Sequence, residues 1–342
     1  KDVSGTSITV FYPEDGVSAV QKKQMTTQEG KNVNVAAIKG NFDDCQNGVK
    51  AIFTDKAFAQ RLAEKNVLLS SANSINWGRL APQIIYYISS YAQLVKNGEI
   101  DFGDKVNVVV PTGNFGNILA AYYAKHMGVP LGKLICASNA NNILTDFIKT
   151  GIYDRNRRFF TTISPSMDIL ISSNLERLLY HMSGNNAEQI NLWFGKLAKE
   201  GRYEVSDDVK KAISAEFYAG FCDDTQTKAT IKEIFDKHGY LMDTHTAVAM
   251  KVYLDYKKET GDRAKTIVAS TANPYKFSDA VYSALGGEID GVDEFDIIEK
   301  LEKASKTAAP KSLTSLRTKT VRFSTVCEKS DMPKVVSDFL SK

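Results

Sequence analysis

The chain has 342 residues, 43 of them basic and 40 acidic, for a formal charge of +3; 43% are hydrophobic and 24% charged. This composition excludes intrinsic disorder, and without a basic block it speaks against a nucleic-acid or polybasic membrane surface, leaving a small molecule as the expected partner. Cys45, Cys136, Cys222 and Cys327 are too scattered for a disulfide framework or a zinc site and are expected as reduced thiols.

No apolar run nears the ~20 residues that cross a bilayer, so a cytoplasmic protein of about two domains is expected. Residue 1 is lysine, and a β-pattern begins almost at once at residues 7–12 (SITVFY), so a segment upstream is expected. A helical spacing follows over residues 16–30, then a second strand at 33–38 (VNVAAI). Asp43 and Asp44 look like caps of a long helix whose Val49, Ile52, Phe53 and Phe58 fit one buried face. A third strand is expected at 67–69, before a helix carrying Leu80, Ile84, Ile85, Ile88 and Tyr91.

Residues 106–110 (VNVVV) form the clearest strand pattern, followed by a glycine turn, a helix over 118–127 and another strand at 134–137. Residues 167–258 read as a helical insertion with breaks at Gly184, Gly201 and Gly239, and residues 265–270 (KTIVAS) return to the sheet. Alternating strands and helices imply an α/β fold with doubly wound, mostly parallel sheets. The expected division is a partial small α/β domain at 1–70, a large domain at 71–290, and a tail at 291–342 packing on the large domain.

Three stretches would share the carboxyl edge of such a sheet, where ligands gather in open α/β folds. In Pro111-Thr112-Gly113-Asn114-Phe115-Gly116-Asn117, the glycines permit close approach and allow N–H groups to converge on an anion at a helix start. The run is neither a Walker A sequence nor GxGxxG, and a plain strand-to-helix turn would look similar. Ser70 to Arg79 offers Ser and Asn donors and one guanidinium fork, suited to a second phosphate or to simple helix capping. Ser270-Thr271-Ala272-Asn273-Pro274 offers a hydroxyl toward a ring nitrogen, or an ST-turn before a Pro-initiated helix. His245 is weighed as structural because no nucleophile motif accompanies it, and Asp207-Asp208 and Asp223-Asp224 are read as helix caps.

Taken together, VPTGNFGN at 110–117, SANSINWGRL at 71–80, NFDDCQNGVK at 41–50 and STANPYKF at 270–277 resemble the threonine synthase family. The resemblance implies fold type II, the cofactor pyridoxal 5'-phosphate (PLP), and a carbon–oxygen lyase converting O-phospho-L-homoserine and water to L-threonine and phosphate. It implies that Gly113, Asn114, Phe115, Gly116 and Asn117 hold the cofactor phosphate and that Thr271 faces the pyridine nitrogen. It likewise implies that Asn73, Ser74 and Arg79 bind the substrate phosphate. The family's Schiff-base lysine lies in an FHGPTLAFKD-like motif that these residues lack. Lys276 stands elsewhere in the pattern, so no catalytic residue is assigned. The expectation is the C-terminal portion of a longer enzyme, with a non-catalytic binder of phosphometabolites as the alternative.

Overall fold

A computed structural model describes residues 1–15, 17–70 and 72–341, with nothing said of the side chains of Phe42 and Asp43. Gly16, within the first predicted helical stretch, Ser71, within the second polar cluster, and the Asp43 cap therefore lie outside the described residues. The strands are β1 (Ile8–Pro13), β2 (Val33–Ile38), β3 (Val106–Pro111), β4 (Leu131–Ser138), β5 (Ile152–Asp154), β6 (Arg202–Glu204), β7 (Phe217–Phe221), β8 (Thr266–Val268) and β9 (Thr325–Cys327). They fall into two compact units, residues 1–71 with 290–342 and residues 72–289.

The first unit holds a parallel sheet in the order β1-β2-β9. One face buries Ile38, Cys45, Ile52, Phe58, Leu62, Cys327 and Met332, and the other buries Tyr12, Val33, Val35 and Ala37. Asn41 opens the helix Phe42–Thr54 with a reciprocal capping box: its side chain accepts from the Asp44 N–H, and the Asp44 carboxylate accepts from the Asn41 N–H, each at 3.0 Å. Asp55 then caps a separate helix, Lys56–Ala63. Phe53 is consequently exposed and does not share the buried face of Ile52 and Phe58. Residues 67–69 are not a strand. Val67 and Leu69 tuck against the core while Leu68 is 87% exposed, an in-out alternation that imitates a strand with no neighbour to pair with.

Residues 290–342, expected as a tail on the large domain, are built into the first unit. Residues 290–342 complete this first unit, because Ala36, Ala37 and Ile38 pair in register with Thr325, Val326 and Cys327, and Met332 is fully buried in its core. A three-residue edge strand carries too short a pattern to be read in advance.

The second unit holds a parallel sheet in the order β7-β4-β3-β8. Both faces are covered, so β3 is buried throughout and reads as a continuous apolar run. Successive side chains point to opposite faces. Val108, Val110, Leu134 and Cys136 face a core shared with the helices Gly116–His126 and Ile143–Thr150, whereas Val109, Ile135 and Ala137 face Val248, Ala249 and Val252 of the helix Thr244–Thr260. This is the doubly wound α/β arrangement expected from the alternation of elements. The helix Ile84–Lys96 buries Tyr87 and Tyr91 rather than Ile85 and Ile88, which are exposed.

The stretch 167–258 is not wholly helical. β7 extends the main sheet beside β4, and β6 pairs antiparallel with β5, stacking Tyr203 on Tyr153 with ring centroids 5.3 Å apart. β7 follows the helix Asp207–Glu216 without an intervening turn, which hides it in the sequence. The breaks at Gly201 and Gly239 are left-handed helix ends with φ of 75° and 66°. Asp223 caps its helix by accepting from the Gln226 N–H at 2.8 Å, and Asp207 and Asp208 occupy the first turn of theirs. All four cysteines are free and buried. Among the described residues, no helix is long and apolar enough to cross a membrane.

Asp262 anchors the amino end of β3 through Asn107 Nδ2 at 2.8 Å and also accepts from the Tyr256 hydroxyl at 2.6 Å. Hydrogen bonds from Tyr256, the Ala264 N–H and Asn107 hold its carboxyl below the usual range. A depressed folded value means that the unfolded chain binds the proton first. The stabilisation is therefore complete above the ordinary carboxylate range and is lost as pH falls through the folded value. Urea midpoints compared between pH 6 and pH 2.5 should fall less steeply for Asp262→Asn than for the parent; parallel curves would refute this.

A candidate phosphate site at the carboxyl edge of the sheet

β3 ends at Pro111, and the chain turns through Gly113 to Phe115 before the helix Gly116–His126 begins. Phe115 adopts the left-handed conformation, φ 62°, and its ring is buried. Among the described residues, the N–H groups of Gly113, Asn114, Phe115, Gly116 and Asn117 make no hydrogen bond. Five neighbouring unpartnered donors at the start of an eleven-residue helix are a set that could take an anion, toward which the helix dipole adds about 0.3–1 kcal/mol. The absence of a side chain at Gly113 is required: a Cβ there would lie 2.7 Å from Ser166 O and 3.3 Å from Met167 Cα.

The loop is clamped by a segment that the sequence did not single out. Ser172 Oγ donates to Gly113 O at 2.8 Å, Ser173 Oγ donates to Asn114 Oδ1 at 3.3 Å, and the Asn174 N–H donates to Asn114 O at 3.1 Å. The buried Asn174 side chain donates through Nδ2 to Asn114 O at 3.0 Å and to Ser74 O at 3.3 Å. Its Oδ1 accepts from Arg177 Nη1 at 2.5 Å, while Arg177 Nη2 reaches Ile75 O at 2.8 Å. The glycine loop and the second polar cluster are thus joined through one buried amide. A cavity of about 520 Å³, lined by Ile75, Trp77, Tyr123, Ser173, Arg177 and Tyr180 among others, adjoins this seam.

Within the second cluster, Asn73 Oδ1 accepts from the Ile75 N–H at 3.0 Å and from Ser74 Oγ at 3.4 Å. Arg79 is exposed, and its Nη1 donates to Ala72 O within the same loop. Asn76 caps the short helix Trp77–Leu80. The bonds made by Asn76 and by Asn73 Oδ1 are local turn and capping bonds within one run.

The third stretch follows β8 at the same edge, because the Ala269 N–H donates to Val109 O at 2.9 Å and carries Ser270 and the exposed Thr271 alongside the end of β3. Asn273 caps the turn Pro274–Phe277, and Lys276 is exposed with its Nζ 5.5 Å from the Phe277 ring centroid. Beneath this edge, Asp168 accepts from Asn139 Nδ2 at 2.7 Å, Asn141 Nδ2 at 2.9 Å and Thr162 Oγ1 at 2.7 Å, fixing the loop that carries Ser166. Burial would raise the Asp243 carboxyl, but hydrogen bonds from His245 and Thr246 outweigh it and hold the group below its ordinary value.

The chain resembles known proteins along nearly its whole length. Residues 246–337 match the family model described as threonine synthase, C-terminal. Threonine synthase from Saccharomyces cerevisiae is 40% identical over 321 residues, covering 89% of this chain and 60% of that protein. Threonine synthase-like 1 from Homo sapiens is 44% identical over 286 residues, covering 83% of this chain and 38% of that protein. Among solved structures, PLP-bound threonine synthase from Brucella melitensis superposes with a TM-score of 0.81 at 38% identity, covering 98% of this chain and 65% of that one. The chain spans from 38% to 65% of the length of these relatives. The doubly wound parallel sheet, the glycine loop at its carboxyl edge and these likenesses together make the chain a threonine synthase-like protein of fold type II.

Proposed function

We propose that this chain supplies the cofactor cradle and the substrate phosphate site of a PLP-dependent carbon–oxygen lyase that converts O-phospho-L-homoserine and water to L-threonine and phosphate. The observation that carries the reading is the Asn174 amide, which ties five free N–H donors on one loop to the Asn73, Ser74 and Arg79 loop. A cofactor phosphate fits the first loop because the space beside Gly113 excludes even a methyl group while its N–H groups lack acceptors. When bound, PLP supplies an electron sink for carbanion chemistry on an amino acid.

The chain's own residues then have distinct tasks. The N–H groups of Gly113 to Asn117 hold the cofactor phosphate by charge-assisted hydrogen bonds. Thr271 offers the pyridine nitrogen a neutral hydroxyl, which unlike a carboxylate does not force that nitrogen to carry a proton. Asn73, Ser74 and Arg79 orient the substrate phosphate and stabilise the charge that grows on it as it departs. No lysine of this chain is assigned to the Schiff base.

The test is turnover by the full-length gene product with O-phospho-L-homoserine, read as released phosphate and threonine. Arg79→Ala should raise KM for this substrate at least tenfold while leaving PLP affinity within twofold. Tight binding of the substrate without turnover would instead select the non-catalytic binder, and equal turnover of serine or threonine would select another eliminase.

A further inference from the structure

We propose that Asp243 and His245 are a positioning pair that sets the cofactor-phosphate loop and the Ser270–Thr271 turn in one register. The proposal rests on the reading of the Gly113 loop as an anion cradle. His245 is 3% exposed and Asp243 fully buried, at the start of the helix Thr244–Thr260. His245 Nδ1 lies 3.1 Å from Asp243 Oδ1, and its Nε2 accepts from the Ser166 N–H at 3.3 Å. A carboxylate on one side and a donor on the other admit one neutral tautomer, with the proton on Nδ1 and a lone pair on Nε2.

The two contacts reach opposite ends of the site. Ser166 is the residue whose carbonyl fills the space beside Gly113, so the imidazole sets how closely that wall stands to the glycine loop. Asp243 also accepts from the Thr246 hydroxyl, and Thr246 Oγ1 lies 3.4 Å from Ser270 Oγ, the neighbour of Thr271. The imidazole further packs on Phe277, with ring centroids 4.8 Å apart, which fixes its plane. A histidine serving only to fill space would need no defined tautomer, and leucine would replace it.

The experiment uses the full chain with 15N-labelled histidine, and His245 is identified among the four histidines by its variants. The expected spectrum is that of an Nδ1–H tautomer; an Nε2–H tautomer overturns the proposal. Hydrogen exchange is then followed in peptides covering residues 164–168 and 170–176, the second of which holds the glycine loop through the Asn174 N–H bond to Asn114 O. His245→Leu should accelerate exchange at least tenfold in both segments, and His245→Gln, which keeps an acceptor, should recover most of that protection in 164–168. Unchanged exchange in 170–176 for His245→Leu, or no difference between leucine and glutamine, overturns the proposal. If His245→Leu fails to fold, Asp243→Asn replaces it. An asparagine amide that donates to Nδ1 moves the proton to Nε2, and the same two segments should lose protection; retained protection overturns the proposal. Inorganic phosphate titrated into the parent separates the two readings. Failure of the parent to bind phosphate or PLP refutes the cradle, while the exchange data still decide the role of His245.

Discussion

Gly113→Ala lowers the affinity of the full chain for PLP and for inorganic phosphate at least tenfold, or about 1.4 kcal/mol. The added Cβ meets Ser166 O at 2.7 Å and Met167 Cα at 3.3 Å, both backbone atoms. Ser166 cannot simply retreat, because its N–H is held by His245 and its loop by the hydrogen bonds that Asp168 accepts. The glycine loop must move instead, which disperses the five N–H groups proposed to share one anion. Gly116→Ala is the comparison, since its Cβ would meet only the Asn174 side-chain nitrogen, at 3.3 Å. Isothermal titration should show the larger loss at position 113. A folded Gly113→Ala protein that binds both ligands like the parent would remove the cradle from the mechanism.

Asn174→Leu should cost about 3 kcal/mol of stability in the unit formed by residues 72–289. Leucine is close in volume, so the loss comes from polar groups rather than a cavity. Ser74 O loses its Asn174 donor and Arg177 Nη1 an acceptor at 2.5 Å, while Asn114 O retains the Asn174 backbone N–H. The protein's two tryptophans, Trp77 and Trp193, both lie in this unit, so urea unfolding followed by their fluorescence reports on it. A destabilisation below about 0.5 kcal/mol would mean that the two loops are held together by other means. On the proposed function, KM for O-phospho-L-homoserine should rise in the full-length protein, because the Ser74 loop is released from the glycine loop.

The sequence announced the ends of strands better than the ties between them. β3 was legible because a strand buried on both faces has to be apolar throughout, and the glycines after it are demanded by close approach. The strand before Thr271 was legible as a short apolar run, and β8 pairs with β3 as expected of a strand that returns to the sheet. Ser172, Ser173 and Asn174 look in sequence like an ordinary helix start, and their partners lie 59 and 60 positions away, beyond any local pattern. The same holds for Ser166 and His245, 79 positions apart. β7 and β9, five and three residues long, were missed because strands so short carry no measurable alternation.

The first unit's sheet is assembled from distant parts of the polypeptide: β1 and β2 lie within its first 38 residues, and β9 comes from residues 325–327. The four strands described for the second unit's sheet lie between those segments. On a ribosome, where synthesis runs at roughly 5–20 residues per second, these four strands are made before β9 is. During that interval β2 waits with one edge unpaired. Translation order therefore gives the unit that carries the glycine loop a head start, and the sheet of β1 and β2 waits for β9.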